Sequence, residues 1–409
     1  MSEVIEKTKV EDNEISVEIK GSKIKGVREK AITNMGIRVF NQGLIGQAGG
    51  VGEIKQHDLI EKARKNLSIP YSYVLPREDH YKYIAEKNLL PEQIVALTEK
   101  LLNSLIGKYP DYIYSGKISF KKSTKSMNTN LNLDLIYSDY SYDVNIMFKQ
   151  KDSINIIDGV ALFFHGKLYD HDEIISQTDI LMKKFSDTVH IKSGFYPVIL
   201  LSSHPFKAKI ASFLSADLYH QGASLFSGKL GQQLLHEQFC LFDETFDPDH
   251  NMVRPFDGEG VRRSDSKLAL VEQGVLKNLL FDLKNAHLYN SSSTANGSRS
   301  PFSGVSIRPN YLVMGSSGKT LKQLLSGYSQ AIFITASIGG EITSRGDYSF
   351  PTIQSYLWED GNIVGRIENL SVSTNVISAL GENWIGCSSD RFFPELPEGY
   401  FVFKAEVKT

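Results

Sequence analysis

The sequence predicts an α+β protein of two domains: a mixed α/β N-terminal domain over residues 1–190 and a strand-rich, barrel-like C-terminal domain over residues 191–409. Three observations predict this architecture. The 409-residue chain is longer than a single hydrophobic core usually serves. Short runs that alternate apolar with polar residues, which is typical of strands, fill 14–50 and 112–164. Helical periodicity is concentrated before residue 220, and the remainder of the chain is strand-rich.

Helical segments are predicted where apolar residues recur at the spacing of one helix face. The first of them opens with Asp58 as its cap. Pro91 stands in the first turn of another, where proline is tolerated. Residues 188–197 are interpreted as a linker between the domains. The predicted helices cover 58–67, two segments within 78–107 of which the second follows Leu90, 172–187, 207–219 and 318–328.

Three predicted hairpins have the same kind of turn, in which a glycine occupies a position that needs a positive φ angle. They are NQG at 41–43, VEQGVL at 271–276 and WEDGNI at 358–363. Residues 290–300, NSSSTANGSRS, form a polar loop that is long enough to be mobile or to act as a substrate-facing flap.

Composition and charge are those of a soluble globular protein. Lys plus Arg number 45 and Asp plus Glu number 47, so the net charge is −2, without the basic excess of a protein that coats nucleic acid. The basic run at 116–126 is interpreted as a solvated face. The N-terminus lacks the apolar core of a signal peptide, and no run approaches the ~20 apolar residues of a membrane helix. We therefore expect a cytoplasmic protein with neither a membrane nor nucleic acid among its partners.

The stretch LLHEQFCLFDE at 234–244 begins like a zinc-protease helix, with His236 and Glu237 followed by Cys240. Its run QFCLFDE is instead typical of a strand. On a strand, residues four apart lie about 13 Å from each other, which is too far for one ion to touch both. His236 and Cys240 are therefore not predicted to be a ligand pair. His236 is interpreted as a surface residue and Cys240 as a small buried hydrophobe.

Several motifs in one order resemble the TldD/PmbA family over nearly the whole chain. That family is described as modulators of DNA gyrase and as metallopeptidases that mature or degrade small peptides and antitoxins. Its first domain is matched by IRVFNQGLIGQAGG followed by a helix. The C-terminal motifs are FDGEGV (256–261), LALVEQGVLKNLLFDLKNA (268–286), STANGSR (293–299), PNYLV (309–313), and GGEITSRGDYSF with LWEDGNIVGRIENLSVSTNV (339–376).

TldD-like members of the family carry an HExxxH zinc motif just before a segment that resembles HQGASLFSGKLGQQ, and a cysteine ligand near the C-terminus. The resemblance places Lys207, Ala208 and Ser212 at the three motif positions. A lysine brings a cation to the place of the zinc ion, and an alanine leaves no general base. Cys387 stands earlier than the family's cysteine and is interpreted as structural. The resemblance therefore implies no catalytic residue, no metal ligand and no cofactor in this chain.

Members without the zinc motif are PmbA-like, or TldE-like, and they partner a catalytic chain. The resemblance thus implies a non-catalytic subunit of a TldD-type metalloprotease complex that acts on small unfolded peptides, in peptide maturation or antitoxin degradation. The implied partner is a TldD-like catalytic subunit, which carries the zinc, within a homo- or heterodimer.

Candidate peptide-binding residues lie in two of the family motifs. Glycines permit the close approach of a peptide backbone, and charged neighbours can orient it. A strand-rich domain also offers main-chain hydrogen bonds to an extended peptide. Turn chemistry and local ion pairing are the alternative roles of the polar members. The candidates are Asp257, Glu259, Gly339, Gly340, Arg345 and Asp347.

Two other functions stay open. One is an autonomous metallopeptidase whose unorthodox ligands come from His204, His220, His236 and Cys240. The other is a regulator that binds gyrase or DNA directly, which the family description suggests and the balanced charge opposes. Salt-sensitive DNA binding would distinguish such a regulator.

Overall fold

The computed structural model confirms the α+β class and describes residues 3–153, 159–247, 252–393 and 398–409. The strands form an N-terminal sheet, a C-terminal barrel and smaller sheets beside the barrel. The boundary after residue 190 stays a prediction. One large hydrophobic cluster draws residues from both halves of the chain, so the two halves are packed against each other.

Eight strands form the N-terminal sheet. They are β1 (Val4–Lys20), β2 (Lys23–Asn41), β3 (Leu44–Val51), β4 (Ile69–Pro70), β5 (Asp79–Ile84), β6 (Tyr112–Thr129), β7 (Leu133–Gln150) and β8 (Gly159–Gly166). Their order is β4-β3-β2-β1-β6-β7-β5, and β8 pairs with β7 on the same side as β5 but farther along the strand. Only the pair of β5 with β7 is parallel in the described sheet.

Three helices of the described chain pack on one face of the sheet. Alternate side chains of β1 point to that face, and the others point to the opposite face. Ile5 packs with the first of these helices and Val17 with the second. Glu6 and Thr8, of opposite parity, instead contact the C-terminal half. No helix in the described ranges is both long and apolar enough to cross a bilayer. The helices are α1 (Gln56–Lys65), α2 (Pro91–Lys108) and α3 (His171–Met182).

The C-terminal half alternates short helices with strands. In chain order its elements are β9 (Gly194–Leu200), α4 (His204–Phe213), α5 (Ala216–His220), β10 (Leu241–Glu244), β11 (Phe246–Asp247), β12 (Met252–Val253), β13 (Lys267–Glu272), β14 (Val275–Leu276), α6 (Leu283–Leu288), β15 (Gly297–Ser298), β16 (Ser306–Ile307), β17 (Leu312–Met314), α7 (Leu321–Leu324), β18 (Gln330–Ser337), β19 (Asp347–Glu359), β20 (Asn362–Ile367), β21 (Ser371–Asn375), α8 (Val376–Leu380), β22 (Trp384–Cys387) and β23 (Phe401–Lys408).

Five strands close the predicted barrel, which is confirmed. Their order is β18-β9-β23-β21-β19, and β18 pairs back onto β19. Strands β20 and β22 are added to β19 and β23 respectively. Alternate residues of β9 serve two cores: Val198 and Leu200 pack in the cluster that contains α4, and Ile199 packs in the cluster of α2 and α3. The barrel wall thus joins both halves of the core.

The three predicted hairpin turns are confirmed. Gln42 and Gly43 join β2 to β3 with φ angles of 49° and 76°. Positive φ at both central residues is the type I′ turn, whose twist matches that of the flanking strands. The turns at 273–274 and 360–361 have the same form, with φ of 51° and 74° in one and 48° and 87° in the other.

One predicted helical segment within 78–107 is wrong. Asp79–Ile84 is strand β5, because its backbone pairs in parallel with β7. The predicted cap of α1 is also wrong. Lys55 holds the cap position, and Asp58 lies in the first turn, where its carboxylate faces the positive end of the helix dipole.

Other predicted boundaries differ from the structure. α3 ends at Met182, before the predicted end, and α7 covers only part of 318–328. β9 takes up the last residues of the predicted linker, because they pair with β23. α4 and α5 divide the helix predicted over 207–219, because the N–H of Ala216 donates to Leu280 O across the core instead of continuing the helix.

The two halves make a close contact where the chain after β15 crosses β2. A Cβ atom added to Gly36 would lie 1.7 Å from the carbonyl oxygen of Pro301. Gln47 Nε2 donates a hydrogen bond of 3.2 Å to Phe302 O beside it. Only glycine therefore fits at residue 36 while the halves keep this contact.

We expect Gly36→Ala to destabilise the protein by about 1–3 kcal/mol, because its methyl group must displace the backbone of Pro301. Gly26→Ala on the same strand is the matched control, since nothing lies within 4 Å of its added Cβ. Urea unfolding of both variants measures the difference. Equal midpoints for the two variants would show that this contact does not hold the halves together.

Candidate functional site

Helix α4, which corresponds to the zinc helix in the family resemblance, presents a buried ion pair. Lys207 Nζ lies 2.6 Å from Glu398 Oε1 and donates a second hydrogen bond of 2.7 Å to Leu312 O. The side chains of Lys207 and Glu398 are only 8% and 10% exposed. Ser203 Oγ donates to Glu398 Oε2 at 2.6 Å, and the N–H of Met314 donates to Glu398 Oε1. The carboxylate therefore joins α4, β17 and the segment before β23.

The residues at α4 do not fit a zinc ion. Lys207 is a cation that already has a carboxylate and a carbonyl as partners, and Ala208 has no ligand atom. Ser212 Oγ donates to Lys209 O at 2.7 Å, within its own helix. Among the described residues, no three or more His, Cys, Asp or Glu side chains are grouped so that they could hold a metal ion. This position therefore holds an ion pair whose ammonium and carboxylate groups are already hydrogen-bonded within the protein.

Cys387 lies near the same ion pair and is fully buried. Burial raises the pKa of its thiol to about 12, and the charge of Glu398 adds to the shift. Its sulfur lies 3.9 Å from Gly399 O. A buried neutral thiol is a poor nucleophile near pH 7. This geometry agrees with the interpretation of Cys387 as structural.

The stretch that opens like a zinc helix contains no helix in the structure. Residues 236–238 belong to a turn in which Gln238 N donates to His236 Nδ1 at 3.1 Å. β10 begins at Leu241, later than the predicted run, and Gln273 N donates to Cys240 Sγ at 3.4 Å. Both His236 and Cys240 are partly buried. Their separate hydrogen bonds leave them as parts of two turns.

Asp257 and Glu259 are brought together in the turn FDGEG, and both are buried. Asp257 Oδ1 accepts from the N–H groups of Glu259 and Val261 at 2.8 and 3.0 Å, and Oδ2 accepts from Gly297 N at 2.8 Å. Glu259 Oε2 accepts from the N–H of Leu283, the first residue of α6, at 2.8 Å. These carboxylates hold two loops and a helix in place. Their predicted role in peptide binding stays a prediction.

Burial shifts both carboxyls of this turn in the same direction. It raises the pKa of Asp257 to about 6, although backbone N–H groups oppose the shift. It raises the pKa of Glu259 to about 8, with a further contribution from the negative charge of Asp257. Two acids so close together in a buried turn do not ionise together easily.

The other four candidates lie together elsewhere, three in the loop between β18 and β19 and Asp347 at the first residue of β19. Gly339 and Gly340 have φ angles of 65° and 82°, which favour glycine. Arg345 is exposed, and Asp347 accepts hydrogen bonds from Asn375 Nδ2 at 2.9 Å and Thr343 Oγ1 at 3.3 Å. No hydrogen bond within the described ranges links this loop to the FDGEG turn. The six candidates therefore form two separate groups.

A polar cleft of about 350 Å³ separates the N-terminal sheet from loops of the C-terminal half. Of the polar loop predicted over 290–300, residues 296–300 line the cleft, and Asn296 is buried. The lining is rich in cations and donors, and Tyr137 packs edge-on against Phe256 with ring centroids 5.3 Å apart. Its principal polar members are Asp12, Lys125, Tyr137, Arg254, Arg299 and Arg308.

The cleft continues into a wider groove of about 600 Å³ on the open face of the N-terminal sheet. The two share Asp12, Asn34 and Ser123, so they form one continuous depression. The groove carries both signs of charge, from residues such as Glu14, Lys121 and Asp139. A depression of this size and polarity can accommodate a short extended chain.

Sequence reasoning missed the cations of the cleft and the partner of Lys207. Lys125 lies in the run that was interpreted as a solvated face, yet it points into the cleft. The alternation of side chains along a strand could have indicated this, because Lys121, Ser123 and Lys125 lie on the same face of β6. No local pattern predicts the pairing of Glu398 with Lys207, because the two residues are 191 positions apart in the chain.

We expect Lys207→Met to destabilise the protein by about 3–5 kcal/mol, because Glu398 is left buried without its cation. Lys209→Met on the same helix is the control, since Lys209 is less buried and pairs only with the ring of Phe213. Chemical denaturation measures both. The double variant Lys207→Met, Glu398→Gln should lose less than the sum of the single variants, and strict additivity would contradict a direct pair.

The raised pKa of Glu259 predicts how stability depends on pH. Between its ordinary value of 4.5 and about 8, the folded chain keeps a proton that the unfolded chain releases, so the free energy of unfolding falls as pH rises. Glu259→Gln keeps the acceptor for Leu283 N and removes the titration, so we expect a flatter profile over this window. Urea unfolding at a series of pH values measures it. An unchanged slope, equal to that of the exposed control Glu237→Gln, would contradict the assignment.

Comparison with known proteins agrees with this fold. The structure of TldE from Thermococcus kodakarensis superimposes with a TM-score of 0.85 and 18% identity, covering 99% of this chain and 97% of that one. A Thermotoga maritima structure described as a putative modulator of a DNA gyrase gives a TM-score of 0.80 and 19% identity, covering 99% and 96%. These likenesses concern the fold.

Sequence comparison extends over most of the chain. An uncharacterised protein of Methanocaldococcus jannaschii is 25% identical, over 87% of this chain and 85% of its own length. A metalloprotease TldD homologue of Buchnera aphidicola is 28% identical, but over only 44% of this chain and 38% of its own length. The PmbA/TldA metallopeptidase C-terminal domain profile matches residues 193–403, which is more than half of the chain. The chain therefore belongs to the PmbA/TldA metallopeptidase family.

Proposed function

We propose that this chain is a non-catalytic, TldE-like subunit of a TldD-type metalloprotease complex that acts on small unfolded peptides. The observation that carries the proposal is the buried pair of Lys207 with Glu398 on helix α4. A zinc ion at this position would meet a fixed positive charge at close range, and the residues that the structure describes bring no three His, Cys, Asp or Glu side chains together to hold it. The catalytic zinc then belongs to the partner subunit.

The groove and cleft support a part in holding the substrate. They form one depression on an open sheet face, with charged and hydrogen-bonding side chains along its length. An unfolded peptide presents unpaired backbone groups and varied side chains, and a polar surface of mixed charge can bind it without strict sequence preference. The subunit thus contributes binding surface, and peptide maturation or antitoxin degradation proceeds in the partner.

The two groups of predicted peptide-binding residues have different roles in this function. Gly339, Gly340, Arg345 and Asp347 lie on an exposed loop that a peptide or a partner chain can approach. Asp257 lines the cleft itself, and Asp257 and Glu259 hold the loops that form its wall.

The assembly is proposed from the relatives. One similar structure is named TldE, and several sequence relatives are named TldD homologues, so a TldD-like chain from the same cell is the natural partner. The complex is a dimer in this proposal, with a homodimer of this chain as the form without the partner. We place it in the cytoplasm, with no nucleic acid among its partners.

Metal analysis combined with peptide cleavage tests the proposal. The chain is purified without chelator, alone and with the TldD-like partner, and each sample is incubated with an unstructured peptide. We expect zinc and cleavage only when the partner is present. A partner variant without the first histidine of its zinc motif is the control, and its mixture should be inactive.

The other outcomes point to the two alternative functions. Stoichiometric zinc and cleavage by the chain alone would overturn the non-catalytic assignment and favour an autonomous peptidase. No cleavage by any mixture, together with salt-sensitive binding of a DNA duplex, would favour a regulator that binds DNA.

A further inference from the structure

Three rows of side chains on the open face of the N-terminal sheet lead into the cleft. Each row crosses β2, β1, β6 and β7, and successive rows are two residues apart along each strand. The outer row is Lys30, Glu14, Lys121 and Ser141, the middle row Ile32, Asp12, Ser123 and Asp139, and the inner row Asn34, Val10, Lys125 and Tyr137.

The groove is closed beyond the inner row. The next row contains Gly36 and Thr8, and Thr8 is buried. Pro301 packs directly against Gly36, and Arg299 Nη2 donates to Thr8 Oγ1 at 3.1 Å. The distance from the outer to the inner row is about 13 Å, or about four residues of an extended peptide. A chain that lies in the groove therefore meets a wall at the inner row.

Three cations lie together at this closed end. Lys125 Nζ donates to the backbone oxygen of Asp257 at 3.0 Å, and Arg308 Nε donates to Ser306 Oγ at 3.4 Å, so both partners are neutral. Arg254 lies beside them on the cleft wall. None of these three cations is in an ion pair within residues 3–153, 159–247, 252–393 and 398–409.

The acids close to these cations are already engaged. Asp257 accepts three backbone hydrogen bonds, and Asp12 accepts one from Ser123 Oγ at 2.6 Å. Burial lowers the pKa of Lys125 to about 8, and the positive charges of Arg299 and Arg254 contribute to the shift. The Tyr137 hydroxyl and the Asn34 amide add further donors to the lining. The closed end is thus rich in donors, and the negative charge of Asp257 partly opposes the shift in the pKa of Lys125.

We propose that this closed end binds the C-terminal carboxylate of a peptide that lies in the groove. The inference rests on the proposed function, in which the subunit holds an unfolded peptide. A carboxylate offers two oxygens that accept charge-assisted hydrogen bonds, which suits Lys125 together with Arg254 and Arg308. The wall at Gly36 and Thr8 leaves no room for the chain to continue, so a terminal carboxylate fits better than an acidic side chain.

Binding of matched peptides to the full chain tests the proposal. The probes are an unstructured Gly/Ser/Asn peptide with an N-terminal fluorophore, prepared with a free C-terminal carboxylate and with a C-terminal amide. We expect the carboxylate form to bind about tenfold more tightly, with the difference shrinking as salt rises. Lys125→Gln and Arg308→Gln should abolish the difference between the two forms. Lys25→Gln, an exposed lysine of β2, is the control and should keep the difference.

The outcomes separate this inference from the proposed function. Equal binding of both peptides, unaffected by Lys125→Gln, would overturn the carboxylate site and leave peptide holding intact. Binding of neither peptide, with or without the TldD-like partner, would overturn both. A third probe, an amidated peptide with one internal aspartate, should bind like the amide form, and binding as tight as the free terminus would contradict a terminal site. Stronger binding of single-stranded DNA, lost in the same variants, would replace the peptide by nucleic acid.

Discussion

The joining of the two halves depends on one buried guanidinium. The side chain of Arg299 is 2% exposed and donates to Gly258 O at 2.6 Å, to Thr8 Oγ1 at 3.1 Å and to the carboxylate of Glu6. A buried charge is costly unless it is paired and hydrogen-bonded, so the loops that supply these partners are held against β1. Arg38 lies 4.0 Å from the same carboxylate and makes the cluster positive overall. Sheet and loops therefore come together in one arrangement.

That arrangement also shapes the surface. Arg299 and Pro301 cover the sheet at one end and leave the rest of its face open, so a groove exists because the two halves meet along only part of β1. Lys125, just outside the contact, donates to a neutral backbone oxygen, whereas Arg299 is paired with a carboxylate. The charge of Arg299 is paired with Glu6 at the interface. The other positive side chains of the lining face the cleft, where a ligand can reach them.

The pair of Lys207 with Glu398 is part of the family fold in this chain. Other members of the family are named metalloproteases. Lys207 donates to the carboxylate of Glu398, from the last part of the chain, and to a carbonyl of β17, and the same carboxylate accepts a hydrogen bond from Ser203 at the start of α4. A metal ion in such a place would join elements through shared ligands. Here the ammonium group of Lys207 joins them instead.

Features that depend on neighbouring residues could be predicted from the amino-acid sequence. It specified the Gln42-Gly43 turn and its two counterparts, because positive φ angles select those residue types locally, and it indicated an α+β fold through two periodicities. The motif positions, through family resemblance, pointed to Lys207. Tertiary structure alone decided that Asp79–Ile84 is a strand, since a parallel partner supplies its hydrogen bonds. It also decided the cleft, where Lys125 meets Asp257 across 132 positions. Such contacts depend on how distant segments pack, and no local pattern encodes them.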